Sequence, residues 1–143
     1  MTKLQKVLVA YDGSPQSKEA LHWAIYFGRH TGAAVSAVKV FEPILRESKW
    51  DEVGSLDEAM FARYAAVEKK DQQLMDQVKE LGSEQEIEIT TAVLAGHVVK
   101  TLLEYAKTNG IGMIVTGTRG HGTLKQLLLG STTHGLVSQS DIP

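Results

Sequence analysis

Apolar and polar positions follow two patterns that alternate along the chain. Uninterrupted apolar runs at residues 7–10 and 113–115 are typical of buried strands of a parallel sheet. A further strand is predicted over residues 34–41, where Glu42-Pro43 ends it. Longer segments follow them in which apolar residues recur every three or four positions, as in amphipathic helices. This alternation predicts an α/β fold, with one open parallel sheet and helices on both of its faces.

The predicted helices begin and end at residues suited to those places. Ser14 can cap the first helix, Pro15 fits its first turn, and Thr31-Gly32 ends it. A capping-box pattern at residues 55–58 begins a long second helix, which we expect to run to Leu81 and to stop at Gly82. Two further helices are predicted, one from residue 97 to the Asn-Gly pair at 109–110 and one over residues 132–139.

Each of the first two helices has an apolar stripe that predicts its buried face. The stripe of the first helix comprises Ala20, Leu21, Ala24, Ile25 and Gly28, widened by Trp23 and Phe27. The stripe of the second comprises Met60, Tyr64, Val67, Leu74, Val78 and Leu81. The charged run at residues 68–71, which ends in Asp71, is predicted to face solvent.

A third strand differs from the other three in its pattern. Ile87, Ile89, Thr91 and Val93 alternate with more polar positions. Such alternation is typical of a strand with one exposed face, so we expect it near an edge of the sheet.

Composition narrows the class of protein. A chain of 143 residues with 43% hydrophobic and 22% charged residues fits a single domain over 1–143. Its net charge of −2 argues against nucleic acid or an anionic membrane as the main partner. There is no cysteine, and no apolar run long enough to span a membrane, so we expect a cytoplasmic protein. The five histidines lack metal-ligand spacing.

Glycines follow the apolar run at residues 113–115, and another, Gly130, comes ten residues after Gly120. The first group is Gly117-Thr118-Arg119-Gly120-His121-Gly122, and the second is Gly130-Ser131-Thr132, where a last helix can begin. A glycine loop and a helix start can together enclose phosphate oxygens; alternatively, the glycines only make turns. The loop is not a Walker A loop, and no G-x-G-x-x-G follows the first strand. The interpretation that remains is a mononucleotide bound between the ends of the first and fourth strands.

The spacing Gly117-x2-Gly120-x9-Gly130-Ser131 resembles the ATP-binding pattern of the universal stress protein family, and the resemblance covers nearly the whole chain. It implies a Rossmann-like, adenine-nucleotide-binding fold with strand order 3-2-1-4, followed in the family by a fifth strand through which dimers commonly pair. Here the chain stops at Pro143, so we expect that fifth strand to be missing. A homodimer is implied, with weak pairing or pairing through another surface.

The resemblance also implies roles for individual residues. The backbone at Ala10, Tyr11, Asp12 and Val40 frames adenine and ribose. Gly117 and Gly120 let the chain approach sugar and phosphates, and Gly130, Ser131 and Thr132 hold the outer phosphates. Thr118, Arg119, His121 and Gly122 complete the loop, where Arg119 and His121 either add charge near phosphate or point into solvent. Asp12 is either a turn residue or a ligand of ribose or of a metal-bound water, since ATP usually arrives with Mg²⁺ or Mn²⁺.

The sequence therefore predicts an ATP-binding universal stress protein that acts as a nucleotide-responsive regulatory module in stress response. The alternative is an enzyme, a slow ATPase or nucleotidyl-transfer protein that uses the same crevice. No loop residue is an obvious general base or nucleophile, which favours the binding protein, and no catalytic residue is predicted. A downstream protein partner is expected.

Overall fold

The fold is seen in a computed structural model, which describes residues 3–43, 58–118 and 130–143, with side chains described from residue 65 onward in the second range. Strands and helices alternate throughout these ranges, as the sequence predicts. In chain order they are β1 (Lys6–Ala10), α1 (Pro15–Thr31), β2 (Ala34–Phe41), α2 (Glu58–Glu84), β3 (Ile89–Ala95), α3 (Val98–Thr108), β4 (Met113–Val115) and α4 (Ser131–Gln139).

The strands form one parallel sheet in the order β3-β2-β1-β4, which confirms the predicted order. Val7 of β1 is in register with Val35 of β2 on one side and with Met113 of β4 on the other. The chain adds β2 and β3 on one side of β1 and then returns to add β4 on the opposite side. Neighbouring loops therefore diverge at the carboxyl ends of β1 and β4, and this opens a cleft.

Two hydrophobic cores cover the two faces of the sheet. Val7 and Val9 point toward α1 and α2 and belong to the first core, whereas Leu8 points to the opposite face and packs with residues of α3 and α4 in the second. All three of these side chains have no exposed surface. Burial on both faces explains why β1 is an uninterrupted apolar run, and it confirms helices on both sides of the sheet.

The second helix ends differently from the prediction. It continues through Gly82 to Glu84, and Gly82 is needed for packing instead. A Cβ atom at Gly82 would lie 2.7 Å from Cδ1 of Ile89 and 2.8 Å from the carbonyl oxygen of Ile87. The helix ends at the following turn, where Glu86 has a φ of 60° and Ile87 N donates to Gly82 O at 2.9 Å. Gly82, which the sequence suggests as the end of the helix, is therefore a packing contact between α2 and β3.

The third strand lies at the sheet edge, as predicted, but its bounds and its faces differ. The turn after α2 takes up Ile87, so the strand begins at Ile89 and runs on to Ala95. Val93 packs against the first core and Leu94 against the second. The prediction of one exposed face is therefore wrong, because helices partly cover both faces of this edge strand.

Several side chains of the first two helices depart from the predicted faces. Trp23 is 51% exposed and Val67 is 42% exposed, because both lie outside the arc of their helix that faces the sheet. Met75, which the predicted stripe omits, has no exposed surface.

The predicted solvent-facing run at residues 68–71 is also corrected at its last member. Asp71 is only 7% exposed, and its Oδ2 atom has no hydrogen-bond partner among the residues that the structure describes. It lies four residues before the buried Met75, so helical geometry puts it on the same face despite its charge. The predicted capping serine at position 55 and the side chains of Met60 and Tyr64 lie outside the described residues.

The outer edge of β4 is touched by the end of the chain. Ile114 N donates to Pro143 O at 2.8 Å, and Ile142 packs against the second core. The described residues form four strands, and Pro143 lies at the place where the sequence led us to expect an unoccupied edge. Among the described helices, none is long and apolar enough to cross a membrane.

Substitutions at Gly82 separate a packing role from a helix-stop role. Gly82→Ala should destabilise the fold by about 1–3 kcal/mol through overpacking, even though alanine favours a helix. Gly82→Asn should cost more than alanine because it is larger, whereas a left-handed stop would tolerate asparagine better than alanine. Urea denaturation of the three proteins measures this, and an asparagine variant more stable than the alanine variant would refute the packing role.

Candidate functional site

A cleft of about 310 Å³ opens at the carboxyl ends of β1 and β4. Its lining includes most of the predicted nucleotide-binding residues that the structure describes: Ala10, Tyr11, Asp12, Val40, Gly117, Gly130, Ser131 and Thr132. Thr118 is not in the lining, but its carbonyl oxygen accepts a hydrogen bond from Gly130 N. Arg119, Gly120, His121 and Gly122 lie outside the described residues. The structure thus brings together residues from four separate parts of the sequence.

The start of α4 differs from the starts of α1 and α3. Ser14 Oγ accepts from Ser17 N at 3.2 Å and caps α1. At the start of α3, His97 Nδ1 accepts from Lys100 N at 3.4 Å and Glu42 Oε1 accepts from Val98 N at 3.1 Å.

The residue that caps α4 is Gly130, which has no side chain to offer. The first N–H groups of α4 therefore keep their capacity to bind an anion, and the positive end of the helix dipole adds to it. Gly130 and the first three residues of α4 line the cleft, so this capacity faces a place where a ligand can sit.

Two hydrogen bonds fix the start of α4 to the end of β4. Gly130 N donates to Thr118 O at 2.8 Å, and Thr133 Oγ1 donates to Gly117 O at 2.6 Å. Thr133 is buried, so its bond is shielded from competing water. The residues on either side of segment 119–129 are thereby held together at the mouth of the cleft.

Gly117 has a packing reason to be glycine. A Cβ atom there would lie 2.7 Å from Cβ of Gln16 and 2.8 Å from its carbonyl carbon. The first turn of α1 therefore rests directly on the backbone of Gly117. Any larger residue would push α1 away from the end of β4, which makes this glycine a structural requirement of the cleft wall.

Asp12 has the turn role that the sequence offered for it. Its Oδ1 atom accepts a hydrogen bond from Ser14 N at 2.9 Å, which shapes the connection from β1 to α1. Its backbone N–H points to Ser17 Oγ at 3.4 Å, and that hydroxyl donates to Ser14 O. Within the described ranges, no group of three or more His, Cys, Asp or Glu side chains could hold a metal ion.

Tyr11 connects the first core to the cleft. It is buried and lines the cleft, and its backbone N–H donates to Val38 O at 2.9 Å. Burial raises the pKa of its phenol, and the neighbouring carboxylate of Asp12 raises that pKa further. The hydroxyl therefore stays protonated at neutral pH and can act as a hydrogen-bond donor.

Some lining residues were missed from the sequence: Ser17, Val38, Lys39, Val98, Leu102, Thr116 and Thr133. Val98 and Leu102 belong to an apolar stripe of α3 that the sequence shows, but the stripe alone does not reveal that it reaches a cleft. The one weak indication in the sequence that Lys39 lines the cleft is its position directly before Val40 at the end of β2. Its Nζ atom donates to Val40 O at 3.5 Å, and it is partly buried.

The cleft has an apolar end and a polar end. The apolar end lies over β2 and α3 and is formed by Val38, Val40, Val98 and Leu102. The polar end lies over β4 and α4 and carries the hydroxyls of Ser131 and Thr132, with those of Thr116 and Thr133, which donate to Gly117 O. Among the described residues, no side chain caps the first N–H groups of α4 there. This arrangement suits a ligand that carries a flat apolar group at one end and a negative charge at the other.

Comparison with known proteins identifies the family of this chain. The sequence profile of the universal stress protein family matches residues 3–143. Universal stress protein YxiE of Bacillus subtilis is 29% identical over 140 residues, which cover 96% of this chain and 95% of that protein. The solved structure of UspA from Lactobacillus plantarum has a TM-score of 0.86 at 21% identity and covers 99% of this chain and 96% of that one.

Two other solved structures with this fold contain adenine nucleotides. One is a universal stress protein in complex with cAMP, with a TM-score of 0.61 at 22% identity over 99% of this chain and 94% of that one. The other is the protein from Archaeoglobus fulgidus in complex with dAMP, with a TM-score of 0.66 at 14% identity over 99% of this chain and 96% of that one. At such identities the likeness shows the fold alone.

The contribution of the Thr133 hydroxyl can be measured with an isosteric variant. Thr133→Val should lower the free energy of unfolding by about 1 kcal/mol or more, because Gly117 O loses a buried donor. Ser138→Ala is the matched control on the same helix, since it removes an exposed hydroxyl that donates to His134 O and should change stability by less than about 0.5 kcal/mol. If urea denaturation shows equal losses of stability in the two variants, the hydrogen bond from Thr133 to Gly117 contributes no more than an exposed one.

Proposed function

Because this chain belongs to the universal stress protein family, we propose that its cleft binds an adenine nucleotide, ATP in particular, and that the protein is a nucleotide-responsive regulatory module in stress response. The observation that carries the proposal is the uncapped start of α4, which opens into the cleft. A regulatory module needs a ligand whose binding changes the protein, and this helix start offers N–H donors that no side chain of the described residues caps.

The apolar end of the cleft suits the adenine ring. Val38, Val40 and Leu102 provide an apolar wall, so a planar base can leave water there without burying unpaired protein groups. The carbonyl and N–H groups at the ends of β1 and β2 supply the polar contacts that distinguish one base from another.

The polar end suits phosphate. The N–H groups at the start of α4 and the hydroxyls of Ser131 and Thr132 can donate to phosphate oxygens without moving any existing helix bond. The glycine spacing 117-x2-120-x9-130 resembles the ATP-binding pattern of the family, and this resemblance supports ATP over a monophosphate. The complexes of relatives with cAMP and dAMP support the adenine, sugar and first phosphate of the ligand.

Mg²⁺ or Mn²⁺ would accompany ATP. The described lining offers such an ion the carboxylate of Asp12 and several hydroxyls. Mg²⁺ keeps most of its water and needs few protein ligands, so Asp12 would hold it through water. The ion would neutralise part of the phosphate charge.

The expected domain, assembly and location are part of the same proposal. We expect one domain over residues 1–143, a homodimer and a cytoplasmic protein. Because Pro143 O already accepts from Ile114 N at the edge of β4, we expect dimer pairing to be weak or to use another surface.

Two substitutions at Ser131 test the role of the start of α4. Ser131→Ala removes one hydroxyl that bonds a charged phosphate, so the Kd for ATP should rise roughly 10- to 150-fold. Ser131→Pro should weaken binding further because it also removes a backbone N–H, while proline is well tolerated at the first position of a helix. Ser138→Ala should bind like the parent.

Calorimetric titration with ATP and Mg²⁺ measures all four proteins, and phosphate release is followed in the same samples. Parent-like affinity of both Ser131 variants would refute phosphate binding at α4. Turnover of about 1 s⁻¹ or faster would favour the enzyme over the regulatory binder.

A further inference from the structure

The edge strand β3 has backbone groups that face outward along one side of the sheet. Gly96 N donates to Phe41 O, and Phe41 is in register with Ala95. In a parallel pair, alternate residues direct both their N–H and C=O groups to the same neighbour. The even-numbered residues of β3 therefore bond to β2, and the odd-numbered residues Ile89, Thr91 and Val93 direct theirs to the open side.

In the part of the chain that the structure describes, these outward groups have no partner. Natural proteins usually protect such an edge with a lysine, a proline, a bulge or a very short strand. The strand Ile89–Ala95 spans seven residues, contains neither charge nor proline, and pairs with β2 in unbroken register. It is well suited to accept another strand.

A groove of about 570 Å³ follows this edge. Its lining includes the consecutive residues 86–91, together with Lys79 and Ser83 from the last turns of α2. Because consecutive strand residues point alternately to the two faces of a sheet, a groove that touches Ile89, Thr90 and Thr91 in succession runs along the backbone edge at the start of β3. The groove therefore gives an incoming strand access to the open groups of Ile89 and Thr91.

The rim of the groove is acidic. The lining of the groove includes the exposed carboxylates Glu86 and Glu88, and Lys79 is the one cation among the described residues that line it. The last turns of α2 also carry the exposed carboxylates Asp76, Glu80 and Glu84. An extended segment with positive side chains would match this charge. A second copy of this chain would instead present the uncharged strand Ile89–Ala95 and leave the acidic rim unmatched.

We propose that the open edge of β3 binds an extended segment of a partner protein, in which basic residues alternate with β-branched ones, by addition of a strand to the sheet. Backbone hydrogen bonds to Ile89, Thr91 and Val93 would supply affinity, and Glu86 and Glu88 would select the basic side chains. The surface lies at the far edge of the sheet from β4 and does not depend on nucleotide.

Amide hydrogen exchange measured by NMR tests the proposal with an internal control. The N–H groups of Thr90 and Ala92 should exchange slowly in the free protein, and those of Thr91 and Val93 quickly. A synthetic peptide of about eight residues, an ordinary strand length, that alternates lysine and valine should slow Thr91 and Val93 about tenfold or more. The same peptide with glutamate in place of lysine should have little effect.

Variants separate the backbone contribution from the charge. Thr91→Pro removes an outward N–H and should abolish peptide binding, whereas Thr91→Val should retain it; slow exchange of Thr90 and Ala92 shows that each variant is folded. Glu86→Lys combined with Glu88→Lys should weaken binding at least tenfold, and Glu104→Lys, an exposed charge reversal on α3, should not.

Three results would overturn the proposal. One is equal protection by the lysine and glutamate peptides. Another is the absence of protection by either peptide. The third is protection of Thr91 and Val93 without peptide that grows with protein concentration, since this would show that a second copy covers the edge.

Discussion

The joint between the end of β4 and the start of α4 is the constraint on which the site depends. Thr133 Oγ1 donates to Gly117 O, Gly130 N donates to Thr118 O, and Gln16 rests on Gly117 from the other side. A helix start attracts an anion only within its first turn, so its position decides whether a ligand can use it. These contacts hold that first turn at the diverging loops of the sheet.

The parallel sheet divides the cleft into two chemical ends. β2 and α3 lie on one side of β1 and bring aliphatic side chains, while β4 and α4 lie on the other and bring hydroxyls and N–H groups. The starts of α1 and α3 are occupied by Ser14, His97 and Glu42, which leaves α4 as the one described helix at the cleft with its first N–H groups free of a side-chain cap. The direction of a bound nucleotide follows from this division.

Much of the architecture could be predicted from the sequence because its signals are local. Buried parallel strands are continuous apolar runs, and Gly130 followed by Ser131 marks the start of α4. The apolar pattern and the family resemblance therefore predicted the strand order and about half of the residues that line the cleft. Features set by contacts between distant residues could not be predicted. The sequence around Gly82 does not show that Ile89 will lie against it, and the sequence around Thr133 does not show that its hydroxyl will donate to Gly117 O. Asp71 was wrongly predicted to face solvent because it is charged, although its position in the helix places it on the buried face.

An NMR titration with ATP and with adenosine tests the orientation of the ligand, which is the central claim. Both ligands should shift the amide signals of Tyr11, Asp12 and Val40, because both carry the base and ribose. ATP alone should shift the amides of Ser131, Thr132 and Thr133, since only its phosphates reach the start of α4. If ATP binds and leaves those three amides unchanged, or if adenosine shifts them equally, the start of α4 is not the phosphate site and the account is wrong.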